Sequence, residues 1–489
     1  MSYAYFIVLF LGFILVRYLT AVFVKKMMFL TSNKNITVNP DEDRLNEIKA
    51  TNKPTFINYD ALSISEETAA LRELLVNNAY ELFRKKYFFG LIASFIYILY
   101  AQLIKSLSEE GPLLTEQVTM VYGIAFTYII YYTGVFYFYR KQFRAIDNKL
   151  GFRFELPQIT ILNKLINWIF NPKYEYFTTY YFLIGFGVII FLPTEMENGS
   201  MLTFPFWAKM VFIIVALTHL GLIYLIKKKS QQVTNIKLLI LRVFGDKKQT
   251  LMTFGRLSRF WKHFGSWFTI IDPSYLKRAN PMFSYKSYLT LIIIIISSWG
   301  IPAFIKLIRF PESENEITIL NLVLLILALV IYYLIIRYSI TRNFAKDEHD
   351  IKYKIQKLVN KPRKSDLTFK NLPMYCHDNT WKIAVVEFIK TCNVILMDLR
   401  GYSEQRKGCE YEVDLILDSI ESKYIVFLVD NENDKDLVKN LIIDRWEYLS
   451  INSPNLNLKK PEIKIYNSLD GKEYDIQTTI DLLIEASKS

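Results

Sequence analysis

Cysteine and histidine are scarce in this chain, with three Cys and four His among 489 residues. Three cysteines cannot supply a disulfide framework, and Cys376, Cys392 and Cys409 show no zinc-type spacing with each other or with His219, His263, His349 and His377. Seventeen Gly and 15 Pro are too few for a collagenous or low-complexity chain. Charged residues make up only 22% of the sequence, against 52% hydrophobic and 16% aromatic, which excludes a disordered chain and argues against one soluble domain. Walker loops, G-x-G-x-x-G turns and G-x-S-x-G elbows are missing too, as are a potassium-type filter, a repeated arginine voltage sensor and a convincing inverted repeat.

What is abundant is apolar sequence, and it is clustered. Runs near the length that spans a bilayer lie at 4 to 24, 87 to 104, 118 to 138, 177 to 192, 206 to 226, 287 to 305 and 317 to 336. The first run has no basic residue before Arg17 and is followed by Lys25 and Lys26, the reverse of a secretory signal, so it is expected to be a retained helix. Segments 25 to 86, 139 to 176 and 227 to 283 are rich in Lys and Arg, whereas 105 to 117, 193 to 205 and 306 to 316 hold only Lys105, Lys306 and Arg309. By the positive-inside rule this alternation predicts an outside N-terminus and a cytoplasmic C-terminus.

Beyond Arg337 the pattern changes to alternating strands and helices, which predicts a parallel sheet covered on both faces. Residues 341 to 364 are charged and offer no buried first strand. A candidate start precedes the sixth run, where IKLLILRV at 236 to 243 and SWFTIID at 266 to 272 are strand-length apolar stretches. The expected α/β domain is therefore built from 230 to 280 and 345 to 489, with a membrane hairpin at 287 to 336 inserted into it. Residues 25 to 86 are expected to form a cytoplasmic helical segment, and 87 to 226 four membrane helices with a cytoplasmic loop at 139 to 176.

The run VILMDLRGYSEQRKGCEYEVDLILDSIESKYIVFLVD, beginning at Val394, resembles TIR domains: a strand leads through a Ser-containing turn to a Cys-x-x-Glu helix start and a further strand. Ser403, Cys409 and Glu412 match that Ser, Cys and Glu, and ILRVFGDKKQ is similar to the first TIR strand and its charged loop. The resemblance implies a flavodoxin-like parallel sheet. For an enzyme of the family it further implies that Glu412 helps cleave the nicotinamide–ribose bond of NAD, with NAD as substrate or ligand. The architecture is similar to that of membrane effectors of bacterial anti-phage defence, Hailong-type among them, in which a nucleotide signal controls a membrane-permeabilising assembly.

The candidate ligand residues are Arg400, Ser403, Glu412, Arg256, Arg259 and Lys262. Glu412 would lie beyond the carboxyl edge of a parallel strand, where open α/β folds bind ligands, although acidic residues also favour helix starts for electrostatic reasons. Arg400 and the Gly401 turn offer phosphate contacts, or else an ordinary turn with one salt bridge. Arg256, Arg259, Lys262 and His263 fall on one helical face, with Phe254, Leu257, Phe260 and Trp261 on another, suited to anionic lipid or nucleotide phosphates. No metal or zinc site is expected.

The sequence thus predicts a polytopic α-helical membrane protein of about seven transmembrane helices, with a cytoplasmic TIR-like α/β domain split by a transmembrane hairpin. Its expected place is the bacterial inner membrane. Its expected role is that of a homo-oligomeric effector that senses a nucleotide or oligonucleotide and controls permeability as a pore or channel. A membrane-bound NAD glycohydrolase and a transporter or scaffold are the alternatives.

Overall fold

The computed structural model describes residues 47–59, 66–107, 194–195, 201–202, 206–230, 235–242, 257–271 except 259, 344–377 except 361–362, 364–366 and 370, 380–404, 407–429, 432–467 and 473–488, with scattered helical positions within 11–26, 122–137 and 326–341. In chain order the elements are β1 (Glu47–Lys49), β2 (Thr55–Tyr59), α1 (Glu66–Leu107), β3 (Thr194–Glu195), β4 (Met201–Leu202), α2 (Phe206–Ser230), β5 (Leu238–Arg242), β6 (Trp267–Ile271) and β7 (Phe344–Ala345). There follow α3 (Glu348–Val359), β8 (Asn371–Cys376), α4 (Trp381–Ile389), β9 (Val394–Asp398), α5 (Lys407–Ser419), β10 (Ile425–Val429), α6 (Glu432–Trp446), β11 (Tyr448–Ser450), β12 (Glu462–Asn467) and α7 (Glu473–Lys488).

Eight strands form one sheet in the order β2-β12-β10-β9-β5-β6-β8-β7. Every pairing in it is parallel. The central five strands follow the doubly wound order in which the chain steps from β5 to β6 on one side, then returns to β9 on the other. β5 and β9 are in register from Leu238 opposite Val394 to Arg242 opposite Asp398.

Strand periodicity divides the core in two. Leu238, Ile240, Val394, Leu396, Val426 and Leu428 point to one face, packed with Leu257, Trp261 and Phe264 and with Ile480 and Leu483 of α7. Leu239, Leu241, Ile395, Met397, Phe427 and Val429 point to the other, covered by α3 to α6 through residues such as Ile351, Phe388, Val413 and Ile442. All five residues of β9 and of β10 are buried, as central strands of a parallel sheet must be. Helix starts are chemically marked as well: Asp350 N donates to Asp347 Oδ1 at 2.8 Å, and Glu348 and Asp350 lie in the first turn of α3 with Lys357 in its last.

The expectation of seven membrane-spanning helices is corrected here. Among the described residues one helix, over Lys209–Ile226 within α2, is long and apolar enough to cross a membrane; a further apolar helix at Ile14–Phe23 is shorter. The fold that the described residues build is α/β, around the eight-stranded parallel sheet. The run at 87 to 104 is no separate element but the distal part of the 42-residue helix α1, about 63 Å long. It failed as a criterion because apolar length alone cannot separate lipid-facing from protein-packed sequence: Tyr87, Tyr97 and Tyr100 are buried against other helices, with the Tyr97 ring 6.3 Å from that of Phe212. The runs at 177 to 192 and 287 to 305 lie outside the described residues, as does the loop at 139 to 176.

Residues 47–59, expected to be part of a helical segment, instead contribute strands. β2 pairs with β12, and β1 pairs antiparallel with β11. Asn52 locks this arm down, its amide donating to the carbonyls of Asn455 and Leu458 at 2.8 and 2.9 Å while its oxygen accepts from Trp446 Nε1 at 3.1 Å. Helix α1 then packs on α7, which is buried on almost every side between residues 478 and 484. Arg72 Nη1 reaches the fully buried Asp481 carboxylate at 2.5 Å, and Lys488 Nζ donates to Glu67 O at 3.0 Å.

The sheet's amino edge is closed tightly at Gly265. A Cβ there would sit 1.7 Å from Ile236 O, a backbone atom that cannot move without breaking the β5–β6 start, where Ile236 N and Leu238 N donate to Phe264 O and Ser266 O. Gly265→Ala is expected to lower unfolding stability by about 3 kcal/mol, measured by denaturant titration of the purified chain.

Candidate functional site

The topological switch point is the natural ligand edge of such a sheet, because the connections from β5 and β9 depart in opposite directions and leave a crevice beyond the carboxyl ends. At this edge Asp398 ends β9, Arg400, Gly401, Tyr402 and Ser403 form the turn, and α5 brings in Cys409, Glu410 and Glu412. Gly401 adopts φ +64, a left-handed conformation that lets the chain reverse at little steric cost.

Arg400 is already occupied. Its Nε and Nη2 grip Asp398 at 2.7 and 2.9 Å, with both side chains almost wholly buried, and its backbone N–H approaches the same carboxylate at 3.3 Å. The pair neutralises itself, so the guanidinium proposed for phosphate contact serves first as the clamp of the turn. Ser403 is half-buried in the same turn. Glu412 is buried, 7% exposed, and shares its helical face with Cys409, Val413 and Ile416.

Glu410, in the first turn of α5, is tied into a second network. Arg445 of α6 donates Nη2 to Glu410 Oε2 at 3.0 Å and Nη1 to Asp414 Oδ2 at 3.3 Å, joining α5 to α6. Tyr402 Oη lies 3.4 Å from Glu410 Oε1, and burial, then the Glu410 charge, push the phenol up to about 12. The three cysteines are buried thiols outside any disulfide, and burial pushes Cys392 up to about 12, so its thiol is held protonated. Among the described residues no group of three or more His, Cys, Asp or Glu could hold a metal ion.

The second candidate cluster sits at the opposite, amino edge. Arg256 and Arg259 lie outside the described residues. Leu257, Phe260, Trp261 and Phe264 are all buried in the core. Lys262 is half-buried, and His263, which helical spacing groups with the basic residues, is 5% exposed. The helical periodicity assumed one solvent-facing side; at its described positions Lys262 is half-buried and His263 buried, and Phe369 N donates to Lys262 O at 2.8 Å.

No family model, curated protein or solved structure matches this chain. The geometry itself therefore carries the functional reading.

Sequence reasoning passed over the ion pairs that Arg445 and Arg72 make between helices. Arg445 and Arg72 stand in ordinary amphipathic helices, where nothing separates a buried arginine from a solvated one. Arg363 lies in the Lys-rich stretch at 341 to 364 yet is only 3% exposed.

Two outcomes are expected. Asp398→Asn leaves Arg400 buried without its counter-charge and lowers stability by about 3 kcal/mol, read from the denaturant midpoint. His263 is held well below its usual range by burial first and then by Lys262 and Arg363. Below about pH 6.5 the unfolded chain takes up that proton and the folded chain does not, so stability falls as pH drops. His263→Gln is expected to flatten the stability slope between about pH 7 and pH 5 by up to one proton, measured by unfolding at each pH.

Proposed function

We propose that this chain is a membrane effector in which a nucleotide-type ligand, held at the crevice between the carboxyl ends of β5 and β9, controls membrane permeability. The observation that carries the reading is a direct covalent path: α2, which contains the apolar stretch Lys209–Ile226, ends at Ser230, and the central strand β5 begins at Leu238. The strand that borders the switch point is thus separated from the apolar helix by seven residues, at most about 25 Å of chain.

Lipid contact is supported by surface chemistry. On α1, Phe88, Ile92, Phe95, Ile96, Leu99 and Leu103 are exposed along one stripe, and Phe88, Phe95 and Leu99 are 60%, 58% and 67% exposed. Ile214, Leu217, Tyr224 and Leu225 are exposed on α2, which packs against α1. A water-exposed apolar surface of this extent is costly for a soluble protein and is satisfied by acyl chains. Exposed Lys228 follows the α2 stretch, the position expected of a basic anchor at a bilayer surface.

The doubly wound strand order and the resemblance of the segment from Val394 to TIR domains support a nucleotide-type ligand. The buried Asp398–Arg400 clamp fixes the turn that would border it, and Ser403 supplies a hydroxyl. Ligand binding that displaces this turn acts on β9, and through the β5–β9 ladder on β5 and α2.

The full chain reconstituted in dye-loaded liposomes is expected to release dye when NAD, mononucleotides or short oligonucleotides are supplied, and to retain it otherwise. Retention under every nucleotide, together with no nucleotide-dependent rise in thermal stability, would overturn the proposal.

A further inference from the structure

A second arginine of this chain is built like Arg400 but lacks its carboxylate. The Arg363 guanidinium stacks on the Phe369 ring, 3.8 Å from the centroid, and donates Nη1 to Leu367 O at 3.2 Å. Its Nε and Nη2 are buried and have no hydrogen-bond partner. These two nitrogens form the same side-on edge with which Arg400 chelates Asp398. The edge is pre-organised: stacking fixes the guanidinium plane, and the Leu367 carbonyl, on a residue with φ 59, fixes its rotation.

The surroundings are cationic. Arg363 and Lys262 both disfavour a charge on His263, which places the three groups within electrostatic reach of one another. Burial lowers the Arg363 pKa to about 10, with no carboxylate to offset it. A buried guanidinium whose fork meets no acceptor is among the costliest arrangements in a protein, and an oxyanion relieves the cost. A planar fork with a second cation beside it matches the geometry and charge of a phosphate group.

The geometry points to Arg363 as the anchor of a phosphate-binding site at the amino edge of the sheet, completed by Lys262. This site is separate from the carboxyl-edge crevice and does not depend on the reading given for that crevice. Phe369, which stacks on Arg363, is tied to Lys262 O, and the neighbouring Phe264 O and Ser266 N bond Ile236 and Asn235. Asn235 is five residues from the end of α2 at Ser230, at most about 18 Å of chain. The phosphate of a lipid headgroup and a free phosphate share the chemistry that Arg363 recognises, and the closeness to α2 favours the headgroup.

The test titrates the purified full-length chain in detergent with inorganic phosphate, with micellar phosphatidic acid, and with phosphatidylcholine as reference, following the unfolding midpoint. Arg363→Gln removes charge and fork; Arg363→Lys keeps the charge and loses the fork. Saturable stabilisation of the wild type is expected, absent in Arg363→Gln and weakened at least about tenfold in apparent affinity in Arg363→Lys. A response to phosphatidic acid without one to inorganic phosphate assigns the site to a headgroup; a response to both assigns it to free phosphate as well. No stabilisation of the wild type by either, or equal affinity in wild type and Arg363→Lys, overturns the site. Should Arg363→Gln fail to fold, the wild-type and Arg363→Lys titrations decide. Nucleotide-triggered dye release tests the other edge, so the two readings fail independently.

Discussion

The parallel ladder between β5 and β9 is the constraint on which the rest of the molecule depends. It joins Leu238 to Val394 and Arg242 to Asp398, bringing together chain that is about 150 residues apart in sequence. Every other strand of the sheet is placed by reference to it: β6, β8 and β7 extend one side, β10, β12 and β2 the other. Because the side-chain period is two, this one register also decides which residues meet α7 and which meet α3 to α6. A slip of one residue would expose both apolar sets to the wrong layer.

Charge is handled in three ways within the same core. Asp398 and Arg400 satisfy each other inside one turn, so the desolvation of both is offset locally. Asp481 is neutralised at long range by Arg72, which makes the docking of α1 on α7 an electrostatic as well as an apolar contact. Lys464 is buried too, donating to Lys423 O at 3.1 Å, and burial lowers its pKa despite Glu485 nearby. Arg363 differs from all of these in having a fork with no acceptor, and the contrast within one chain is what gives it meaning.

The alternation of strand and helix after Arg337 was legible because central parallel strands must be apolar on both faces, and NVILMDL and YIVFLVD are. The arm at 47–59 was not legible: TFINY is short and half-polar, and its strand character comes from pairing with β12 and from the Asn52 hydrogen bonds. Counting apolar runs misjudged the membrane part for a related reason. Tyr87, Tyr97 and Tyr100 of α1 look like lipid-facing residues in sequence and are buried, while Phe88 and Leu99 on the same helix are exposed. At the candidate site, Arg400, Ser403 and Glu412 could be picked out by residue type and position. The Asp398–Arg400 clamp is the one-salt-bridge turn that the sequence left open beside phosphate contact, whereas that Glu412 faces inward with Cys409 and Val413 was not legible.

Composition and periodicity by themselves determined the α/β character, the direction in which the strands would have to run, and the scarcity of metal- or disulfide-forming residues. Only the tertiary structure decided the order of the strands, which apolar surfaces remain exposed, and which of several arginines is neutralised. The reason is physical: hydrophobicity and charge belong to a residue, but burial and compensation belong to its neighbours, and those are brought together from 47–59, 235–271 and 344–488 only when the sheet closes.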